Sequence, residues 1–351
     1  MNSLDTLEGG VLSAIALWQG QGLGVTLATI LRTHGSAPHE AGTLYAINAR
    51  GEQIGALSGT CLGAWLNRHI TNGLKAPLET IRVGEDEGIR LPCGGTIDIL
   101  LEKDPPPAHI EEWRMALINR ACIHRTVDIG TRAYKLSRAR VWQRPRFDGR
   151  VWAATYGPSW RILIIGAGAV SAHLARLALM LDFSVTISEP RIEMREEFDE
   201  EGALLTSAMP DDAVTAIHPD FRTAILALAH DPRLDDLGLW EALQTNAFYI
   251  GALGSVSSHR KRCTRLATLG IPSEQLERIH GPAGLPILSR TPVEIAVAIA
   301  GALIAEKHHE HPRNHDLSPP LTEAFQHDHR TPSCGRTQPP FWLPKAPSTS
   351  P

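Results

Sequence analysis

Apolar positions open the chain with helical spacing. Leu4, Leu7, Val11, Ile15 and Trp18 recur at three- and four-residue intervals, which predicts a helix over 4–18. The period then shortens. "VTLATIL" (25–31) and "TLYAI" (43–47) are compact β-branched runs separated by the turn chemistry of "THGSAPHEAG", and they predict two strands. "TIDILLE" (96–102) predicts a further strand, after which Asp104 and three prolines open a helix carrying Ile110, Trp113 and Leu117. Residues 121–152, with "RTVDIG" and "RARVWQR", read as strands or a connecting segment.

From residue 161 the pattern changes to continuous apolar runs. "RILIIG", "FSVTIS", "DAVTAI", "RTAILALA" and "NAFYIGALG" predict strands covered on both faces, as in a parallel sheet, with helices such as 169–181 and 257–269 between most of them. The last helix begins at "TPVE", with Thr291 as N-cap, Pro292 at the first position and Glu294 reaching back. Its body, "IAVAIAGALIA", is apolar nearly all round and predicts a buried helix. After Lys307 the chain is rich in His and Pro without periodicity, which predicts disorder. These patterns predict an α/β protein: a mixed α+β domain over 1–150, a Rossmann-like doubly wound parallel sheet over 151–307, and a tail over 308–351. The boundary falls within "RPRFDGRVWAATYGPSW" (144–160).

Composition narrows the function classes. The chain has 351 residues, 43% apolar, with 34 basic against 38 acidic side chains, so no global positive field advertises nucleic acid or anionic lipid. "MNSLDTLEGG" lacks the basic flank and apolar run of a secretory leader, and no stretch reaches the roughly 20 apolar residues of a membrane span. Five scattered cysteines argue against a disulfide framework. A cytoplasmic protein is expected.

The strongest motif is "RILIIGAGAVSAHLARLALMLDFSVTISEPR". A strand runs into Gly166 and Gly168, then a helix, then a second strand ending at Glu189. Gly166 suits the tight turn, Gly168 admits a phosphate against the helix N-terminus, and Glu189 stands where an acid would bond a ribose 2′-hydroxyl. The third glycine of the fingerprint is replaced by Ser171. Such a crevice takes a nicotinamide dinucleotide, another phosphorylated ligand, or nothing. "LAHDPRLDD" places His230 and Asp231 after a strand, where Asp231 either faces the crevice or caps the helix opened by Pro232. Gly254 and Ser255 end another strand before Arg260, Lys261 and Arg262, which suits phosphate or a solvated basic face.

Two cysteines sit beside glycines at strand–turn junctions: Cys61 in "GALSGTCLGAWL" and Cys93 in "LPCGGTIDIL". Each is either a small buried hydrophobe or a soft ligand and nucleophile suited to a metal–sulfur centre or sulfur transfer. Clustered histidines in the tail raise transition-metal binding as an alternative to plain disorder.

Taken together these blocks resemble the XdhC/CoxI family, accessory proteins of xanthine dehydrogenase-type molybdenum enzymes, over roughly 8–307. The resemblance rests on Gly35, Ser36, Pro38, Gly42, Gly59 and Cys61, on Cys93, Gly94 and Gly95, on the Rossmann turn, and on the block from "FYIGALGS" to "ALIAE". It implies a chaperone that binds molybdenum cofactor, in the molybdopterin or dinucleotide form. It also implies protection during sulfuration by a cysteine desulfurase and insertion into a xanthine dehydrogenase or aldehyde oxidase-type apo-enzyme, with a homodimer expected. On that reading Gly35, Ser36, Gly59, Cys61, Cys93, Gly94 and Gly95 hold the soft end. Gly166, Gly168, Glu189, Asp231, Gly254 and Ser255 hold the charged end, the two ends meeting in an inter-domain cleft. The alternative is an NAD(P)-dependent oxidoreductase. Four positions depart from the family: in a glycine-glycine-cysteine-x-acid pattern, appearing here as Gly59-Thr60-Cys61-Leu62-Gly63, a glycine and the acid are missing, an arginine appears as His39, and an aspartate as Glu189.

Overall fold

A computed structural model describes residues 7–35, 39–84, 94–139 and 142–309. Chain order is α1 (Leu7–Gly20), β1 (Val25–His34), β2 (Leu44–Asn48), β3 (Gln53–Gly55), α2 (Cys61–Thr71), β4 (Leu78–Val83), β5 (Thr96–Lys103) and α3 (Pro107–Ile118). Strands β6 (Ile123–Asp128), β7 (Ala133–Arg138), β8 (Arg146–Phe147) and β9 (Val151–Tyr156) come next. Then come β10 (Trp160–Ile165), α4 (Ala169–Met180), β11 (Phe183–Ser188), α5 (Ile192–Glu196), β12 (Leu204–Thr206) and α6 (Pro210–Ile217). The chain continues with β13 (Thr223–Ala227), α7 (Pro232–Ala242), β14 (Tyr249–Ala252), α8 (Val256–Thr268), α9 (Ser273–Leu276), β15 (Ile279–His280) and α10 (Pro292–His309).

The first five strands form an antiparallel sheet ordered β3-β2-β1-β5-β4. Because side chains alternate across a strand, Leu27 and Leu31 of β1 join Val11, Ile15, Ile110 and Trp113 of α1 and α3 on one face. Ala28 and Ile30 join Leu62 and Leu66 of α2 on the other. Strand polarity sends β1, β3 and β4 to the same edge at which β5 begins. Gly35, Gly84 and Gly95 meet there: a Cβ on Gly35 would lie 3.4 Å from the Gly95 Cα, and one on Gly84 would lie 2.6 Å from the Gly95 carbonyl oxygen. A second antiparallel sheet, β7-β6-β9-β8, occupies the stretch that the sequence left open between strands and connection.

The remaining strands form a wholly parallel sheet, β12-β11-β10-β13-β14-β15, the doubly wound order expected of a Rossmann fold. Two expectations are corrected. "DAVTAI" belongs to helix α6, not a strand: Pro210 occupies its first turn, Asp211 and Asp212 complement the dipole there, and Ala213 and Val214 are buried. The third strand of this half is instead the short β12. Helix α10 is not buried all round. Ala296, Ile299 and Leu303 pack with Leu174 and Ala178 of α4, whereas Val293 and Val297 remain about half exposed, because no further layer among the described residues covers the outer face. No helix among the described residues is long and apolar enough to cross a membrane.

The N-terminal and Rossmann halves meet at the edge where the parallel strands begin. Arg120 donates to both Asp220 oxygens (2.6 and 3.0 Å) and to the Ser159 carbonyl (3.1 Å). The Arg222 guanidinium donates to the Pro158 carbonyl at 2.7 Å and stacks on the Trp142 and Trp160 rings.

Candidate functional site

The chain leaves β10 toward β11 on one side and later returns to β13 on the other. This reversal of strand order opens a crevice beyond the carboxyl ends of the strands. Loops 166–168, 189–191, 229–231 and 253–255 surround it, so Gly166, Gly168, Glu189, Asp231, Gly254 and Ser255 are brought to one edge.

The two glycines of the first turn serve different ends. Gly166 has φ +96°, and a Cβ there would strike the Ala229 backbone, so the residue makes close loop packing possible. Gly168 has ordinary φ and nothing within 4 Å of where its Cβ would stand. Helices α4, α5, α7 and α8 begin at the loops around this crevice. Asp231 caps α7 by accepting the Arg233 N–H at 3.0 Å, and Ser255 caps α8 by accepting the Ser258 N–H at 3.1 Å. Helix α4 has no side-chain cap. Its first-turn N–H groups therefore lie beneath the open space at Gly168 without a capping side chain, an arrangement suited to an anion. Ser171, in place of the third glycine, is fully buried.

Glu189 is fully buried and its acceptor positions are filled from within the protein. One oxygen accepts the Ala167 N–H (3.0 Å) and an Arg191 Nη2–H (2.7 Å), and the other accepts the Arg191 N–H (3.0 Å) and Nε–H (2.8 Å). Burial works to raise this carboxyl, but the bonds from Arg191 and Ala167 outweigh it and hold it below the usual range. A ribose hydroxyl would have to displace Arg191 to reach it. The acid read from the sequence as a sugar contact thus straps the phosphate turn to Arg191. Asp231 likewise serves as the N-cap, ion-paired to exposed Arg233, whose hydrogen bond lowers its carboxyl.

Sequence reasoning missed Asp235 and Arg262 as organisers of this edge. Asp235 accepts the Ala229 N–H, and Arg262 donates to the Leu253 carbonyl. Burial pushes the Asp235 carboxyl up to about 6. Arg262, part of a basic run in the sequence, is buried against Asp235 and its neighbour Asp236, whereas Arg260 and Lys261 are exposed.

The N-terminal candidates gather elsewhere. Thr60 caps α2, accepting the Gly63 N–H at 3.0 Å and donating to the Leu57 carbonyl at 2.7 Å, which places Cys61 at the first helical position. The Cys61 thiol is free and exposed. Gly63 lies against the Leu57 carbonyl so tightly that a Cβ would overlap it, so the acid expected from the family pattern has no room here. Gly59 and Gly94 adopt positive φ (+73° and +69°). Ser36, Cys93 and the His-rich tail after residue 309 lie outside the described residues. Among the described residues, no three His, Cys, Asp or Glu side chains cluster as a metal site. No hydrogen bond or ion pair among them joins the N-terminal set to the crevice set.

Residues 162–303 match the XdhC Rossmann domain, and residues 18–74 match the XdhC and CoxI family. The chain belongs to the XdhC/CoxI family. Among family relatives, the Escherichia coli protein named molybdenum cofactor insertion chaperone PaoD is 25% identical over 304 residues, covering 82% of this chain and 85% of that protein. A Bacillus subtilis protein named as a probable xanthine dehydrogenase subunit is 25% identical over 311 residues, covering 79% of this chain and 92% of its own. A solved structure from Bacillus halodurans, described as a xanthine dehydrogenase, shares the fold with a TM-score of 0.67 at 22% identity, over 88% of this chain and 98% of that one.

Proposed function

We propose that this chain is a molybdenum cofactor-binding chaperone that delivers the cofactor to a xanthine dehydrogenase-family apo-enzyme. The observation that carries the reading is the similarity to PaoD across both halves of the chain. The site chemistry fits such a cargo. The uncapped N-terminus of α4 beneath Gly168 suits a terminal phosphate, whether the cofactor is in the molybdopterin or dinucleotide form. The exposed Cys61 thiol suits the soft molybdenum–sulfur end. Handover after sulfuration by a cysteine desulfurase, in the cytoplasm and by a homodimer, completes the proposal; a dimer gives the two site groups a way to meet across protomers.

The test is to purify the full-length protein from a host that makes the cofactor, and to identify by mass spectrometry what leaves it on denaturation. A pterin in near-stoichiometric amount supports the reading. Its absence, with NAD or NADP released instead, favours the oxidoreductase alternative, which the occupied Glu189 carboxylate counts against. Cys61→Ser that retains pterin but fails to activate the partner enzyme assigns the thiol to handover. Activation equal to the unsubstituted protein removes it from the mechanism.

A further inference from the structure

A cavity of about 240 Å³ opens at the junction of the halves, at the edge of the parallel sheet opposite the crevice. Two cations line it among the described residues. Arg222 is 6% exposed; among the described residues its guanidinium hydrogen-bonds only to the Pro158 carbonyl, and it lies 4.5 Å from the Trp142 ring centroid and 4.8 Å from that of Trp160. Lys307 Nζ rests 5.3 Å from the same Trp160 centroid and 5.6 Å from that of Phe183. Among the described residues, no carboxylate oxygen comes within 4.0 Å of either cation's nitrogens. Buried charges are ordinarily paired, and ring faces supply only part of what water withdraws. Burial pushes both groups toward their neutral forms, and the Arg222 charge adds to the effect on Lys307.

The acids facing these cations stand farther out. Glu8, Glu40 and Asp182 line the same cavity beyond ion-pair distance, and Glu40 and Asp182 are solvent-exposed. Positive charge therefore lies at the buried Arg222 and the half-buried Lys307, where it acts strongly, whereas Glu40 and Asp182 carry their negative charge at the exposed, screened rim and Glu8 is half-buried. We propose that the junction cavity is an oxyanion-binding site that takes a phosphate group between Arg222 and Lys307. The phosphate is either the free ion or the arm of a larger ligand. This site stands or falls independently of the cofactor reading, which concerns the other edge of the sheet.

Calorimetric titration of the full chain with inorganic phosphate and with ribose 5-phosphate tests it. Saturable binding of either supports the site: binding of both marks a ligand's arm as the source, and binding of phosphate alone marks the free ion. Lys307→Met should weaken the affinity about tenfold, as expected for loss of a charge-assisted contact, and Lys307→Arg should restore it. Glu40→Gln and Asp182→Asn, both at exposed turn positions, should strengthen it severalfold. No saturable binding, or binding unchanged in Lys307→Met, overturns the proposal. So does binding that is lost in Gly168→Asp rather than Lys307→Met, since it would then belong to the crevice.

Discussion

Asp235 and Arg262 tie together two loops that flank the crevice. Asp235 Oδ1 accepts the Ala229 N–H at 3.0 Å, and its Oδ2 lies 3.7 Å from Arg262 Nη2, which itself donates to the Leu253 carbonyl at 3.0 Å. Both side chains are buried, so the loops carrying Asp231 and Gly254 share one internal brace.

That brace has a pH signature. The folded Asp235 carboxyl titrates at about 6 against an ordinary value of 3.8, so the folded state binds more protons between those values and stability falls as pH rises through them. Asp235→Asn keeps an oxygen for the Ala229 N–H and removes the titration. Urea unfolding at acidic and neutral pH should show the variant gaining on the parent across the window by at most about 3 kcal/mol. Parallel profiles would refute the brace as drawn.

His109 should give the opposite slope. Its Nε2 accepts the Arg125 Nε–H at 3.0 Å, and burial, followed by the Arg125 charge, lowers it to about 4. The neutral ring is therefore part of the fold. Stability is retained above the unfolded value of 6.5 and lost as pH falls toward 4. His109→Gln should flatten that loss by at most about 3 kcal/mol over the window. Denaturant titrations of the two proteins at several pH values would check it.

Gly166 and Gly168 should separate folding from binding. Gly166→Ala forces a Cβ into the Ala229 backbone at positive φ and should cost about 2 kcal/mol or more. Gly168→Ala meets nothing and should change stability by about 1 kcal/mol at most. It should nonetheless reduce retained pterin, because the methyl group enters the space left for a phosphate. Equal melting temperatures for the two variants would contradict the steric account.

Arg191 and Glu189 should behave as a unit. Arg191→Met leaves a fully buried carboxylate without its main partner and should cost about 2 kcal/mol. Adding Glu189→Gln should recover most of the loss, a non-additivity that a double-mutant cycle reads directly. Additive losses would mean that the pair is not coupled.

Much of the fold is legible in the sequence because its patterns are local. Continuous apolar runs mark β10, β11, β13 and β14, and the capping box of α10 is realised as read, with Glu294 accepting the Thr291 N–H at 3.0 Å. Helix α6 reads as a strand because Val214, Thr215 and Ile217 favour strands while the deciding signals, Pro210 and two aspartates, sit just upstream. The role of Glu189 is illegible for a different reason. Its position after β11 is correct for a sugar contact, but only the folded chain shows Arg191 turning back onto it. Asp235 with Arg262, and Arg222 with Lys307, come together across long stretches of sequence, and no spacing rule finds such pairs.

Strand β10 separates the two proposed ligand positions. It begins at Trp160, beside the junction cavity, and ends just before Gly166, so the openings lie about 20 Å apart, the length of a six-residue strand. A nucleotide-sized molecule seated at one end cannot touch the other. Cross-talk between two such guests would run along β10 and its neighbour β13, whose fully buried middle residues would then serve as a spacer between them.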